Sequence, residues 1–109
     1  MTRTHSEATA SGLAKLDKLL EHRSRLGACV LLADVDALNF SRLKQLLKET
    51  DGNMGAHLRK LEDAGYLSVK KRFENRKPVS WYSLTNNGRT ALTAHVKALQ
   101  TVIGSAGVE

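Results

Sequence analysis

The chain has 109 residues, a formal net charge of +6 and a sequence pI near 9.8. That length fits one domain with a modest core and is short for a multi-layered enzyme, while the basic balance favours an anionic partner such as nucleic acid or a membrane surface. The lone cysteine, Cys29, excludes an intramolecular disulfide and a cysteine-based zinc framework, no apolar run approaches the roughly 18–20 residues of a membrane span, and nothing reads as a signal peptide, so a reducing cytoplasmic setting is expected.

Residues 1–10 mix Thr, Ser, His and Glu without a period and are predicted to be a flexible arm. From Ser11, Leu13, Leu16, Leu19 and Leu20 fall at helical steps, with Lys15, Asp17, Lys18 and Glu21 on the other face, which predicts an amphipathic first helix. After a polar break at 22–25, Leu26 to Ala33 is apolar almost all round. The segment from about Arg23 to Ala33 is therefore expected to be the central helix, with Cys29 as a small core hydrophobe. Leu38, Asn39 and Phe40 suit a short strand.

Ser41 suits the N-cap of a helix Arg42–Leu47, whose Leu43, Leu46 and Leu47 face inward while Arg42, Lys44 and Lys48 face out. A tight turn follows at 48–50, where Lys48 and Glu49 stand in place of the glycine that a left-handed backbone favours, at a cost of about 1 kcal/mol if φ is positive. Thr50 or Asp51 then opens a helix that Gly65 ends. Met54, Leu58 and Leu61 share its inner face; Asn53, Gly55, Ala56, His57, Arg59 and Lys60 occupy the outer one. Small residues beside hydrogen-bonding and cationic ones are what a helix needs to enter a DNA groove and touch base edges, and two such helices around a tight turn have helix-turn-helix spacing.

Beyond Gly65 the period becomes alternating. Leu67, Val69 and Phe73 are expected on one face of a strand with Ser68, Lys70 and Arg72 on the other, residues 74–78 form a basic turn, and Val79–Leu84 returns as a second strand. Lys70, Lys71, Arg72, Arg76 and Lys77 face Glu74 alone in this hairpin, which holds most of the chain's excess charge, whereas residues 51–65 are net acidic by one. The hairpin is therefore the expected phosphate contact, helped by Ser41, Arg42 and Lys44. Thr85 caps a last helix from Asn86 to about Ile103, in which Leu92, Val96, Leu99 and Ile103 form a narrow apolar seam. Paired about a two-fold axis with a second line at Leu13, Leu16 and Leu20, this seam predicts a homodimer. The domain is expected to span 11–104, with 105–109 a loose tail.

The run from Phe40 to Thr85 resembles the small MarR/ArsR-like winged-helix transcriptional regulators, through Thr50, Asp51, Gly52, Asn53, Met54, Gly55, His57, Leu58, Lys60, Leu61, Glu62, Gly65 and Tyr66, and on through Lys71, Arg72, Phe73, Arg76, Pro78, Tyr82, Leu84 and Thr85. The resemblance implies a mainly α fold with a small β-hairpin wing, and a dimeric regulator that binds double-stranded DNA. Helix 51–64 would lie in the major groove through Asn53, Gly55, Ala56, His57 and Lys60, and hairpin 67–84 on the backbone or in the minor groove. Two departures from the family pattern are Gly55 for a usual serine and Lys48-Glu49 for a usual Gly-Leu turn.

An enzyme is disfavoured, since no nucleophile elbow, phosphate loop, dinucleotide fingerprint or local acid pair in an apolar setting is present. His5, His22, His57 and His95 are scattered in sequence without metal-ligand spacing, so neither metal nor cofactor is expected. His57 is read as a groove residue and His95 as an exposed or interface residue. The alternative function is a winged-helix protein-interaction module, against which the basic wing argues. An effector has room between the terminal helices and the winged core, although no convergent polar groups name one.

Overall fold

The computed structural model describes residues 4–107. Five helices and a three-stranded antiparallel sheet run in the order α1 (His5–Ala14), α2 (Arg23–Ala33), β1 (Leu38–Asn39), α3 (Phe40–Leu47), α4 (Asp51–Asp63), β2 (Leu67–Glu74), β3 (Lys77–Leu84) and α5 (Asn86–Ser105), with a 3-10 turn at Lys18–Leu20. The sheet order is β1-β3-β2. This is the expected mainly α fold with a hairpin wing.

The N-terminal segment corrects the sequence reading. Instead of an arm, residues 5–10 are the first turns of α1, started by a capping box in which Thr4 accepts from the Glu7 backbone N–H at 3.1 Å and the Thr4 N–H donates to the Glu7 carboxylate. A segment this poor in apolar residues is helical because it lies on α5: Gly12 is buried where a Cβ would come within 2.8 Å of Val102, and the Thr9 and Ser105 hydroxyls meet at 2.6 Å. Residues 1–3 of the expected arm, and 108–109 of the expected tail, lie outside the described residues.

The predicted first helix of Ser11 onward ends early, at Ala14. Asp17 turns its carboxylate back onto the Leu19 N–H at 2.9 Å and caps the 3-10 turn instead, the local competition with helix that short polar side chains offer. The leucine period of 13–20 thus belongs to two elements.

Helix α2 occupies its expected span and is the hub, burying Ser24, Ala28, Cys29 and Leu32 and packing on α3, α4, α5 and β3, although Val30 remains exposed. Arg23 donates to the Leu47 carbonyl at the end of α3, and Arg89 reaches the Ala33 carbonyl from α5, so both ends of α2 are tied to neighbours. The core closes with Leu20, Leu43, Leu47, Met54, Leu58, Leu61, Leu67 and Leu92.

Three local corrections follow from geometry. Asn39, not Ser41, caps α3, accepting from the Arg42 N–H at 2.8 Å, so the helix starts two residues early and Ser41 is exposed within it. Leu46 faces solvent because Leu43 and Leu47 already fill the inner face. Phe73 is 79% exposed, for β2 and β3 run on past the core as a free-standing ribbon.

The turn at 48 has the predicted strain: Lys48 is left-handed at φ 54. Thr50 caps α4 through the Asn53 N–H, and Gly65 leaves the helix at φ 80. Asn75 and Arg76, both at positive φ, form the two-residue hairpin turn; its hand matches strand twist.

Helix α5 also departs from expectation. Its inward line is Gly88, Leu92, His95 and Ala98, so the predicted seam is split. Leu92 and Leu20 belong to the chain's own core, Leu16 and Leu99 are half-buried, and Leu13, Val96 and Ile103 are exposed. The radius of gyration is 16.5 Å, with extents of 64 × 25 × 21 Å, where a compact chain of this length has about 13 Å. The β2–β3 ribbon and the α1–α5 pair both extend from the core.

Candidate nucleic-acid interface

Helix α4 presents the outer face that the spacing of Met54, Leu58 and Leu61 dictates. With those three buried, Asn53, Ala56, Arg59 and Lys60 are exposed and Gly55 is partly so. Asp51, Gly52, Gly55, Ala56 and Arg59 line a shallow groove along the first turns, and apart from the adjoining backbone of the helix itself nothing lies within 4 Å of where a Gly52 or Gly55 Cβ would stand. Packing within the chain therefore does not require a glycine at position 55.

Spacing puts Arg59 on the outer face without marking it as a groove residue. The structure places it one turn beyond Gly55, in a cleft of about 230 Å³ shared with Lys71, Ser80 and Tyr82 of the hairpin. The four-residue step from Gly55 is the signal in the sequence that points to it.

The wing carries its cations in the open: Lys70, Lys71, Arg72, Arg76 and Lys77 are all exposed. Alternation divides them. Lys70 and Arg72 project on the face of Trp81, and Lys71 on the face of Tyr82. The Arg72 guanidinium lies 5.9 Å from the Trp81 ring centre, and the Trp81 indole N–H donates to the Glu74 carboxylate at 2.6 Å. Trp81 thereby braces the basic ribbon that extends beyond the core. On α3, Ser41 and Arg42 are exposed beside Gln45, whereas the Lys44 ammonium is already 2.7 Å from the Asp51 carboxylate.

His57 departs from the groove face. Position 57 is one turn from Met54 on the flank nearest α2, and its ring is turned inward, with the side chain 14% exposed. Nδ1 lies 3.1 Å from the Arg25 guanidinium, Nε2 lies 3.5 Å from the Glu49 carboxylate, and the ring centre is 4.1 Å from that of His22. Burial holds the imidazole below its usual pKa, reinforced by His22 and Arg25. The Ser24 hydroxyl bonds to the Glu49 carboxylate, and this bond is the main cause that lowers the Glu49 pKa. Glu49 is one of the two turn residues that depart from the family pattern; it is turned inward as a tie between α2 and α4.

His95 is likewise not exposed. It is 2% accessible and accepts the Asp17 backbone N–H at 3.0 Å. A cleft of about 270 Å³ beside it, between the terminal segments and α2, is lined by Leu16, Leu20, His22, Leu26 and Leu99 among others. It occupies the region in which the sequence gives an effector room. Among the described residues no helix is long and apolar enough to cross a membrane.

A family model described as a winged helix DNA-binding domain matches residues 24–103. An uncharacterized protein of Methanocaldococcus jannaschii is 32% identical over 79 residues, covering 72% of this chain and 86% of that protein. Among solved structures, a transcriptional regulator homologue from Pyrococcus horikoshii OT3 is 25% identical and superposes with a TM-score of 0.79 over 92% of this chain and 97% of its own. A MarR family transcriptional regulator from Streptomyces coelicolor, solved in complex with DNA, shares the fold at a TM-score of 0.62 and 22% identity, over 92% of this chain and 70% of its own.

Proposed function

Because the chain belongs to the family of winged helix DNA-binding domains, we propose that it is a sequence-specific transcriptional regulator that binds double-stranded DNA as a homodimer. In this reading α4 enters the major groove, with Asn53 and the small Gly55 and Ala56 toward base edges and Arg59 and Lys60 toward the groove wall. Ser41 and Arg42 lie on phosphates beside it, with Lys44 joining them if DNA displaces Asp51. The wing cations Lys70, Lys71, Arg72, Arg76 and Lys77 follow the backbone or the adjacent minor groove.

The observation that carries the proposal is the pairing of an exposed helix face holding Asn53 and the small Gly55 and Ala56 with a separate, fully exposed basic ribbon. Reading and anchoring are then done by different elements, as duplex recognition requires. The dimer is supported by the elongated shape and by the apolar side chains left on the projecting α1–α5 pair, Leu13, Val96 and Ile103, with Leu16 and Leu99 half-covered beside them. Leu20 and Leu92 contribute to the interface only by holding these helices on the core.

Selection of bound sequences from random duplex DNA tests the reading. The expected product is a near-palindrome whose half-sites are centred about 10–10.5 base pairs, or a multiple, apart. Failure to enrich any sequence removes specific readout, and an unsymmetrical single half-site removes the dimer. Phe73, 79% exposed near the wing tip, favours the second reading, a protein-docking module, should no DNA sequence emerge.

A further inference from the structure

Between the start of α2 and the helix-turn-helix lies a cluster that the proposed DNA contacts do not use. We propose that His22, Glu49 and His57 form a binding site for a divalent transition-metal ion, with zinc as the best match to the ligands. The assignment goes beyond the DNA reading and does not depend on it.

One ligand atom from each of the three residues falls within 4.8 Å of the others, and all three side chains are partly buried. A tetrahedral zinc ion with nitrogen and oxygen ligands needs edges of about 3.3 Å, so rotations of side chains already in contact close the site. Two imidazoles and one carboxylate make a set that suits zinc and leaves a fourth position for water or the Ser24 hydroxyl. Each ligand comes from a different element: the N-cap of α2, the strained turn and α4. Cys29 is buried in the core and is not part of this set.

Proton positions define how the ion enters. His22 Nδ1 accepts the Ser24 N–H at 3.1 Å, and His57 Nδ1 faces the Arg25 guanidinium, which can only donate. Both neutral rings therefore carry their proton on Nε2. An ion bound at Nε2 shifts each proton to Nδ1 without net release, and each Nδ1 then gives up the bond it accepts. Metal binding is thus exchanged against the cap of α2 and the hold of Arg25 on α4. The ion then ties the start of α2 to α4 directly, in place of the hold of Arg25.

The test is zinc titration of the full chain, followed by competition with a chromophoric chelator and by NMR of the histidine rings. One ion per chain is expected, with ring signals of His22 and His57 shifting while those of His5 and His95 stay in place. His22→Asn keeps a good N-cap residue and removes the ligand; His57→Gln removes the second. Each should weaken zinc more than about 100-fold, beyond the loss typical of an outer-shell partner, and His5→Ala should not change it. Affinity unchanged in both variants, zinc-induced shifts at His5 instead, or no saturable binding to the wild-type chain would overturn the assignment. The wild-type NMR titration decides the matter even if a variant unfolds.

Discussion

The Tyr66 hydroxyl donates to the Asp17 carboxylate at 2.5 Å, joining the exit of α4 to the link between α1 and α2. The same Asp17 gives its backbone N–H to His95 of α5. One residue of an irregular link thus connects the end of the helix proposed to face DNA with the helix proposed to carry the dimer contact. The Asp17 carboxylate also caps the 3-10 turn, so its side chain serves two of these segments and its backbone the third.

Alkaline pH should expose this connection. The bond to Asp17, then burial, pushes the Tyr66 pKa up from 10.0 to about 12, and burial pushes the Cys29 thiol from 9.0 to about 11. In both cases the folded state keeps a proton that the unfolded chain loses. The stability they contribute is complete below about pH 9 and declines as pH rises toward 12. The urea midpoint should fall over that range, and Tyr66→Phe should start lower but decline less between pH 10 and 12. Parallel curves for the two proteins would contradict the assignment to Tyr66.

Lys48→Gly should stabilise the fold. A left-handed non-glycine residue costs about 1–2 kcal/mol, and the greater freedom of glycine in the unfolded chain returns about 0.5–1 kcal/mol of that. The net gain expected in urea denaturation is roughly 0.5–1 kcal/mol. A loss of stability would mean that the Lys48 side chain makes a compensating interaction.

Alanine at both Arg76 and Lys77 should weaken all duplexes alike. The slope of log affinity against log salt should fall by about 1 for each phosphate that the variant no longer neutralises. Fluorescence anisotropy over a salt series measures it, and an unchanged slope would remove the wing tip from the interface.

Asn53→Ala should relax discrimination at a single base pair by about 1–3 kcal/mol if the amide makes a two-pronged contact to adenine. Equal weakening on the selected site and on scrambled DNA would make Asn53 a backbone contact. Its backbone N–H already serves the Thr50 cap, so circular dichroism should show α4 intact in the variant.

Glutamate at Val96 and Ile103 should give a folded monomer with little operator affinity, because both side chains are exposed and neither belongs to the core. Analytical ultracentrifugation gives the mass. A wild-type chain already monomeric at tens of micromolar would remove the dimer from the proposal.

The fold is legible in the sequence where one period and one pair of end signals govern an element. Helix α4 combines Thr50, Gly65 and the Met54-Leu58-Leu61 line, and the hub α2 combines a polar break with an apolar run. Legibility fails where distant partners decide. No local apolar signal announces α1, whose helical state rests on Val102 and Ser105 at the other end of the sequence. The same holds for His57 and His95. Each reads as an outward residue of its own helix, but Arg25 and the Asp17 backbone, 32 and 78 residues away in the chain, donate to their ring nitrogens. Phe73 departs the other way, since alternation states which face a strand residue takes but not where the core beneath it ends.

The crossing of Gly12 over Val102 sets an order of events during synthesis. A chain made from its N-terminus completes α2, α4 and the wing well before the last turns of α5 exist, and domains of this size fold as their parts emerge. Until then α1 has no partner and, at ten residues, is too short to hold a helix by itself. Its docking closes a loop of nearly the whole chain, the slowest kind of contact to form. The winged core can therefore be finished while the segment that carries Leu13 is still undocked, so the apolar surface of the α1–α5 pair is the last to take shape.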